Sequence, residues 1–247
     1  MSVGLEVDGR VATLMLDRPD DLNAIDIDLA RELERRVGDI AASDAQVVVL
    51  AAAGRGFCAG GDVRAMAASG DPSGYLDQLV DAAHRAIFAL RALPQPTIAR
   101  VQGPVAGGGI GLMLACDIAI ASEEAHVTPA YGAIGLTPDC GGTALISDAI
   151  GDRRARAFFL LGDRVDAEMA ADWGLVTRTV AHDELDAAVD EAVQRIFSQG
   201  AHASRETKRL LGLNGTYAER LAAEHRAIVS SARTEHAKTR IDAFADR

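Results

Sequence analysis

Val47-Val-Val-Leu-Ala-Ala-Ala-Gly-Arg-Gly-Phe-Cys-Ala-Gly-Gly-Asp62 is the stretch that decides how this chain folds. Val47 to Ala52 is an apolar run that reads as a strand, Gly54 to Asp62 is a glycine-rich loop, and helix-favouring residues resume only after Asp62. The pattern returns when the strand Thr97 to Val101 leads into Gly103-Pro-Val-Ala-Gly-Gly-Gly-Ile-Gly111. Glycines in such loops let the backbone approach a ligand with its N–H groups pointing outward, and a helix N-terminus adds partial positive charge. One such loop also arises simply to let elements pack, whereas two in equivalent positions point to a held anion or oxyanion. Gly54-x-Gly56-x-x-Ala59 formally matches the dinucleotide fingerprint, but that fingerprint opens directly into a helix, and here Gly60 and Gly61 intervene. Neither loop carries the Lys-Ser or Lys-Thr ending of a phosphate-binding P-loop.

Upstream, Val3 to Val7 and Val11 to Leu16 flank Asp8-Gly9, which supplies the positive φ of a tight hairpin turn. Asp28 is expected to cap an amphipathic helix, Leu29 to Ala42, with Leu29, Leu33, Val37 and Ile40 on one face. Between the glycine loops a helix is expected around Tyr75 to Leu93. After the second loop come a helix from Gly108 to Ala115, a strand from Asp117 to Ala121 and a short extended piece near His126. From Asp183 onward the pattern is helical throughout. The fold class is α/β repetition followed by a helical appendage, whose apolar face needs the core or a neighbouring subunit to cover it.

Composition bounds the function. With 247 residues, 49% hydrophobic and 25% charged, the chain fits one globular domain with a small appendage. A net charge of −11 argues against a nucleic-acid partner, and no apolar run reaches the length of a membrane span. Met1 to Asp17 shows no secretory pattern, so a cytoplasmic location is expected. Cys58, Cys116 and Cys140 form no C-x-x-C pair and read as small buried thiols. His126, His182, His202, His225 and His236 show no metal spacing.

Gly54-Arg-Gly-Phe-Cys-Ala-Gly-Gly-Asp62, followed by Pro94-x-Pro-Thr-Ile-Ala-x-Val-x-Gly-Pro-Val-Ala-Gly-Gly-Gly109, resembles the crotonase superfamily of enoyl-CoA hydratases and isomerases. The resemblance extends from Asp17-Arg-Pro-x-x-Leu-Asn-Ala24 through Asp117-Ile-Ala-Ile-Ala121 and Trp173-Gly-Leu-Val176 to the C-terminal helices. It implies a spiral of ββα units over residues 1–190 holding the CoA and catalytic site. Residues 191–247 would form a helical oligomerisation region that builds trimers or dimers of trimers. It implies that the N–H groups of Gly61 and Gly108 form an oxyanion hole, and that Asp21, Leu22, Ala24, Ala59, Asp62 and Val63 line the CoA site. The acyl-CoA thioester is then the substrate, with no further cofactor, no metal, no nucleic acid and no membrane partner.

An enolate mechanism needs a group to move a proton. Hydratases of this family carry two glutamates at positions that match Gly111 and, approximately, Ala130 here, so both acids are absent. Asp139, in Ile134-Gly-Leu-Thr-Pro-Asp-Cys-Gly-Gly-Thr143, reads from its neighbours alone as a turn or cap aspartate. The resemblance makes it the acid/base group of isomerase-like members, among them the phenylacetate-pathway isomerases. From its neighbours alone His84 reads as a surface or core residue; by resemblance, His84 and Tyr131 match substrate-pocket positions of 4-chlorobenzoyl-CoA dehalogenase, although Tyr131 replaces that enzyme's tryptophan. Trp173 reads as a packing residue. Asp20 and Asp21 would repel CoA phosphates, leaving Arg18, Arg55 or a neighbouring subunit to hold them. The expected activity is a double-bond shift by an enoyl-CoA isomerase. The alternatives are a hydratase, a dehalogenase- or thioesterase-like hydrolysis through Asp139 and His84, and a non-catalytic acyl-CoA or RNA binder.

Overall fold

A computed structural model describes residues 2–246, with Met1 and Arg247 outside the described residues. Strands β1 (Val3–Asp8) and β2 (Val11–Leu16) form the expected antiparallel hairpin, with Gly9 at a φ of +55° in its turn. Along β2, Ala12, Leu14 and Leu16 are buried, the alternation of a sheet with one covered face. Helix α1 (Ile27–Ala41) buries Leu29, Leu33, Val37 and Ile40 as its periodicity requires. Its cap is Asp26 rather than Asp28: the Asp26 backbone is extended, and its carboxylate accepts the Leu29 N–H at 2.7 Å, which leaves Asp28 in the first turn.

Strand β3 (Val47–Ala52) is buried along its whole length. After it come α2 (Val63–Ala68), α3 (Pro72–Ala92) and β4 (Thr97–Val101). The start of α3 lies ahead of the first apolar repeat because Asp71 accepts the Gly74 N–H and Pro72 occupies the first turn. Short β5 (Val105–Ala106) leads into α4 (Gly108–Leu114), and β6 (Ile118–Ser122) into β7 (His126–Thr128). Then follow α5 (Gly142–Ile150), α6 (Asp152–Leu161), β8 (Val165–Asp166), α7 (Ala167–Trp173) and β9 (Arg178–Val180). Helices α8 (Leu185–Gln199), α9 (Ala201–Leu211), α10 (Tyr217–Ser231) and α11 (Glu235–Ala245) close the chain.

The strands form two sheets, β1-β2-β3-β4-β6-β9 and β5-β7-β8, and β2 through β9 run parallel in the larger one. Each turn of the spiral places one strand in the large sheet and a short strand or bridge in the second layer, then a helix. Cys58 bridges Val105 in that second layer, so the two glycine loops are the corners where the chain changes sheet. Helices α1 and α3 cover one face of the large sheet. On the other, Leu185, Val189 and Val193 of α8 pack on Val47, Val49, Ile98 and Ile120. Position 190 therefore lies inside a helix that belongs to the packed core. Trp173 packs partly buried against the main core. The appendage is held through α9, whose Lys208 reaches Asp117 at 2.7 Å and the Gln95 carbonyl at 2.9 Å. Helices α10 and α11 bury only Ala223 and Ala227 and expose Tyr217, Ile228, Ile241 and Phe244. Among the described residues no helix is long and apolar enough to cross a membrane.

Gly38 sits on the exposed side of α1 with helical backbone and open space around its Cβ position. Gly38→Ala is expected to stabilise the protein by about 0.5–1 kcal/mol, read as a thermal midpoint about 1–4 °C higher by circular dichroism.

Candidate active site

The site is built on the first turn of α4, where Gly108, Gly109 and Gly111 replace side chains with space. A Cβ on Gly109 would lie 2.5 Å from the Cys58 carbonyl oxygen of the first glycine loop. A Cβ on Gly111 would run into the Cys140 carbonyl and lie 2.9 Å from Cys140 Cβ, on the segment that carries Asp139. Both loops therefore close onto the helix backbone itself. The first loop is also stitched to the second by Phe57 N–H to the Pro104 carbonyl at 3.0 Å and Ala106 N–H to the Cys58 carbonyl at 2.9 Å.

Beside this junction the chain opens a cavity of about 510 Å³. Gly61, Gly108, Tyr131 and Asp139 form its polar end, while Met66 of α2 and Leu76, Leu79 and Val80 of α3 supply an apolar wall. The Gly60 carbonyl accepts from Ile25 and the Asp62 N–H donates to Ile25, so the Gly61 N–H faces the opposite way. Gly108 is the first residue of α4, where an amide has no partner within the helix. Among the described residues neither the Gly61 nor the Gly108 N–H has a protein acceptor, and both residues line the cavity.

Asp139 stands next to this pair: the Cβ position of Gly108 lies 3.7 Å from Asp139 Oδ1. The Tyr131 hydroxyl donates to that same Oδ1 at 2.7 Å. Burial, with the Asp139 charge added, pushes the Tyr131 phenol well above its usual range, so it remains a donor. The same causes raise the Cys140 thiol, and burial pushes Cys58 and Cys116 up to about 12, so none of these free, buried cysteines is a thiolate at neutral pH.

Of the two residues expected in the substrate pocket, Tyr131 lines the cavity and His84 does not. His84 lies further along α3, with its side chain behind the Asp139 segment, and its Nε2 accepts the Cys140 N–H at 3.0 Å. Glu123 and Glu124, which precede this segment, are exposed. Ala130, one of the two positions without an acid, takes a φ of +57° and lines the cavity.

Arg18 is not available to a phosphate. Its guanidinium meets the Ala24 carbonyl at 2.7 Å, Asp26 at 2.9 Å, and Asp21 and Asp62 at 3.0 Å each. Asp62 is held below the usual carboxylate range: burial opposes its charge, but the Ala65 N–H and Arg18 outweigh it. This hub ties the stretch containing Asp21, Leu22 and Ala24 to that containing Ala59, Asp62 and Val63, and the Ala59 N–H adds a bond to the Leu22 carbonyl at 3.0 Å. Arg55 is exposed on the first loop. Two buried amides that sequence reading passed over complete the scaffold. The Asn23 amide donates to the carbonyls of Ala53 and Gly56 at 2.9 Å, and the Gln102 amide donates to Ala52 at 2.8 Å and Gly56 at 2.9 Å. Their signal was position: each polar amide directly adjoins a motif that was read for its glycines or its arginine.

Residues 6–247 match the enoyl-CoA hydratase/isomerase family. The chain is 34% identical over 198 residues to the 1,2-epoxyphenylacetyl-CoA isomerase of Escherichia coli, covering 78% of this chain and 75% of that protein. It is 30% identical over 251 residues to the short-chain-enoyl-CoA hydratase of Clostridium acetobutylicum, covering 100% of this chain and 95% of that one. The crystal structure of an enoyl-CoA hydratase from Bacillus anthracis superposes with a TM-score of 0.93 at 28% identity, over 100% of this chain and 96% of the other.

The contact at Gly111 gives a direct test of the junction. Gly111→Ala is expected to cost about 1–3 kcal/mol or more, because the atom it meets is backbone, and to lower the thermal midpoint by several degrees, opposite in sign to Gly38→Ala.

Proposed function

Because the chain belongs to the enoyl-CoA hydratase/isomerase family, we propose that it is an enoyl-CoA isomerase in which Asp139 alone moves the proton. The observation that carries this reading is the contact between Gly111 and Cys140: where hydratases place an acid, this chain has no room for a Cβ, because the Asp139 segment occupies the space. Adding water across a double bond calls for a group that activates the water as well as one that delivers a proton, whereas a double-bond shift needs only one carboxylate.

In this mechanism the thioester oxygen of a 3-enoyl-CoA sits between the Gly61 and Gly108 N–H groups. The Asp139 carboxylate removes a proton from C2, and the electron pair of the broken C–H bond moves through C1 onto the thioester oxygen. The two amides stabilise the resulting dienolate, and each such donor contributes about 3–4 kcal/mol at the transition state. Protonated Asp139 then returns the proton to C4, the double bond settles between C2 and C3, and the carboxylate is regenerated. Tyr131 occupies Oδ1, which leaves Oδ2 to do the transfer. The apolar wall of Met66, Leu76, Leu79 and Val80 supports an apolar acyl tail. The residues of the Arg18 hub would form the floor of the CoA site, with the phosphates left to Arg55 or a neighbouring subunit. The exposed apolar face of α10 and α11 supports a homotrimer or a dimer of trimers.

Wild type and Asp139→Asn incubated with 3-enoyl-CoA and 2-enoyl-CoA, with products followed by mass and by ultraviolet absorbance, test the proposal. Wild type is expected to interconvert the two isomers, and Asp139→Asn to be slower by about 10²–10⁴-fold. A mass gain of one water as the main product would overturn the isomerase reading. Tyr131→Phe is expected to lower kcat by roughly 10-fold or more while leaving the protein folded, since it removes one hydrogen bond to a charged group. Sedimentation is expected to give a mass near three or six times 25.9 kDa.

A further inference from the structure

We infer that His84 is a positioning residue, whose Nε2 fixes the Cys140 amide and through it the direction of the Asp139 carboxylate; this rests on the isomerase reading above. Residue 140 is an unusual place in the backbone. Cys140 has a φ of +53°, and Gly141 follows at +71°, so two consecutive left-handed residues come directly after Asp139. A β-carbon makes that conformation unfavourable, and it persists only where the surroundings over-determine it. Here they do so on three sides. Cys140 is 3% exposed, its sulfur lies 3.0 Å from where a Gly108 Cβ would be, and its carbonyl presses on Gly111. Its N–H, finally, donates to His84 Nε2 at 3.0 Å.

Removing the imidazole would strand this amide beside the most constrained contact of the site. The backbone would then rotate about residue 140 to find another acceptor, and the neighbouring Asp139 would turn with it. Tyr131 holds the carboxylate at Oδ1 and His84 holds the following amide, so the side chain hangs between two fixed points. Accepting from an amide places the imidazole proton on Nδ1 and occupies the Nε2 lone pair. An imidazole in that state cannot take a proton from water through Nε2, which is the use a hydrolytic reading would make of it. His84 also stands one helical turn beyond Val80 on α3, so the helix that walls the acyl end of the cavity also supplies the anchor for the acid/base segment.

The test uses full-length His84→Ala, His84→Gln and His84→Lys, with Asp139→Asn in parallel, on whichever acyl-CoA the wild type turns over. Expected is a kcat for His84→Ala lower by roughly 10- to 100-fold with KM within about twofold, the signature of a misplaced acid/base group rather than a lost binding contact. The glutamine amide oxygen can accept the same N–H and is expected to restore kcat to within about fivefold of wild type, whereas lysine, which only donates, is not. Wild-type kcat in His84→Ala would overturn the inference, and so would a folded His84→Gln as slow as His84→Ala, because imidazole chemistry would then be required. If His84→Ala does not fold, the comparison of His84→Gln with wild type decides alone. An active Asp139→Asn would sink the acid/base assignment itself, whereas an inactive Asp139→Asn beside a fully active His84→Ala would sink only the role of His84.

Discussion

Three backbone segments meet at the first turn of α4 with no side chain between them, and the rest of the site depends on that closeness. At Gly109 the partner is the Cys58 carbonyl of the first loop; at Gly111 it is the Cys140 carbonyl of the Asp139 segment. A methyl group at either position would push a loop outward, and interiors packed at crystal density have no slack to absorb that. The separation of the Gly61 and Gly108 amides, and the place of Asp139 beside them, follow from how near these loops stand to the helix axis. The spiral of two sheets brings the loops to the same corner. The glycines then set the last few ångströms.

Sequence reading succeeded where a local rule governs a residue. An uninterrupted apolar run gave β3 its observed limits, β4 was read with its observed limits after Pro96, and alternation gave the hairpin, because burial pattern and strand pairing are short-range consequences of side-chain type. Helix starts were less legible. Asp26 and Asp28 are equally good caps by composition, and only the extended backbone of Asp26 separates them. Asp139 was visible as a carboxylate in a glycine-flanked turn, but the hydroxyl that donates to it comes from Tyr131 and the imidazole that accepts the next amide comes from His84, and no spacing rule announces a tertiary contact. Arg18 misled in part for the same reason: two of the carboxylates that neutralise it, Asp21 and Asp26, are its neighbours in sequence, but Asp62 comes from the first glycine loop.

Membership of the family and the choice of reaction rest on different atoms. The fold, the paired sheets and the unpartnered glycine amides suit any chemistry that passes through an enolised thioester, which is why an isomerase and a hydratase can both be about 30% identical to this chain. What distinguishes reactions is the number of acids at the rim and where each stands. Here, among the described residues, a single carboxylate lines the cavity, and it accepts from a phenol that burial and the neighbouring charge keep protonated. The Tyr131 hydroxyl thereby fixes one oxygen of the Asp139 carboxylate.

Arg18 has a consequence that reaches beyond charge neutralisation. Two of the carboxylates around it, Asp26 and Asp62, are also the caps that start α1 and α2. Each of these carboxylates therefore starts a scaffold helix with one oxygen and ties the loops together through Arg18 with the other. The loops lose their conformational entropy when the protein folds, so a ligand meets a surface with little left to order on arrival.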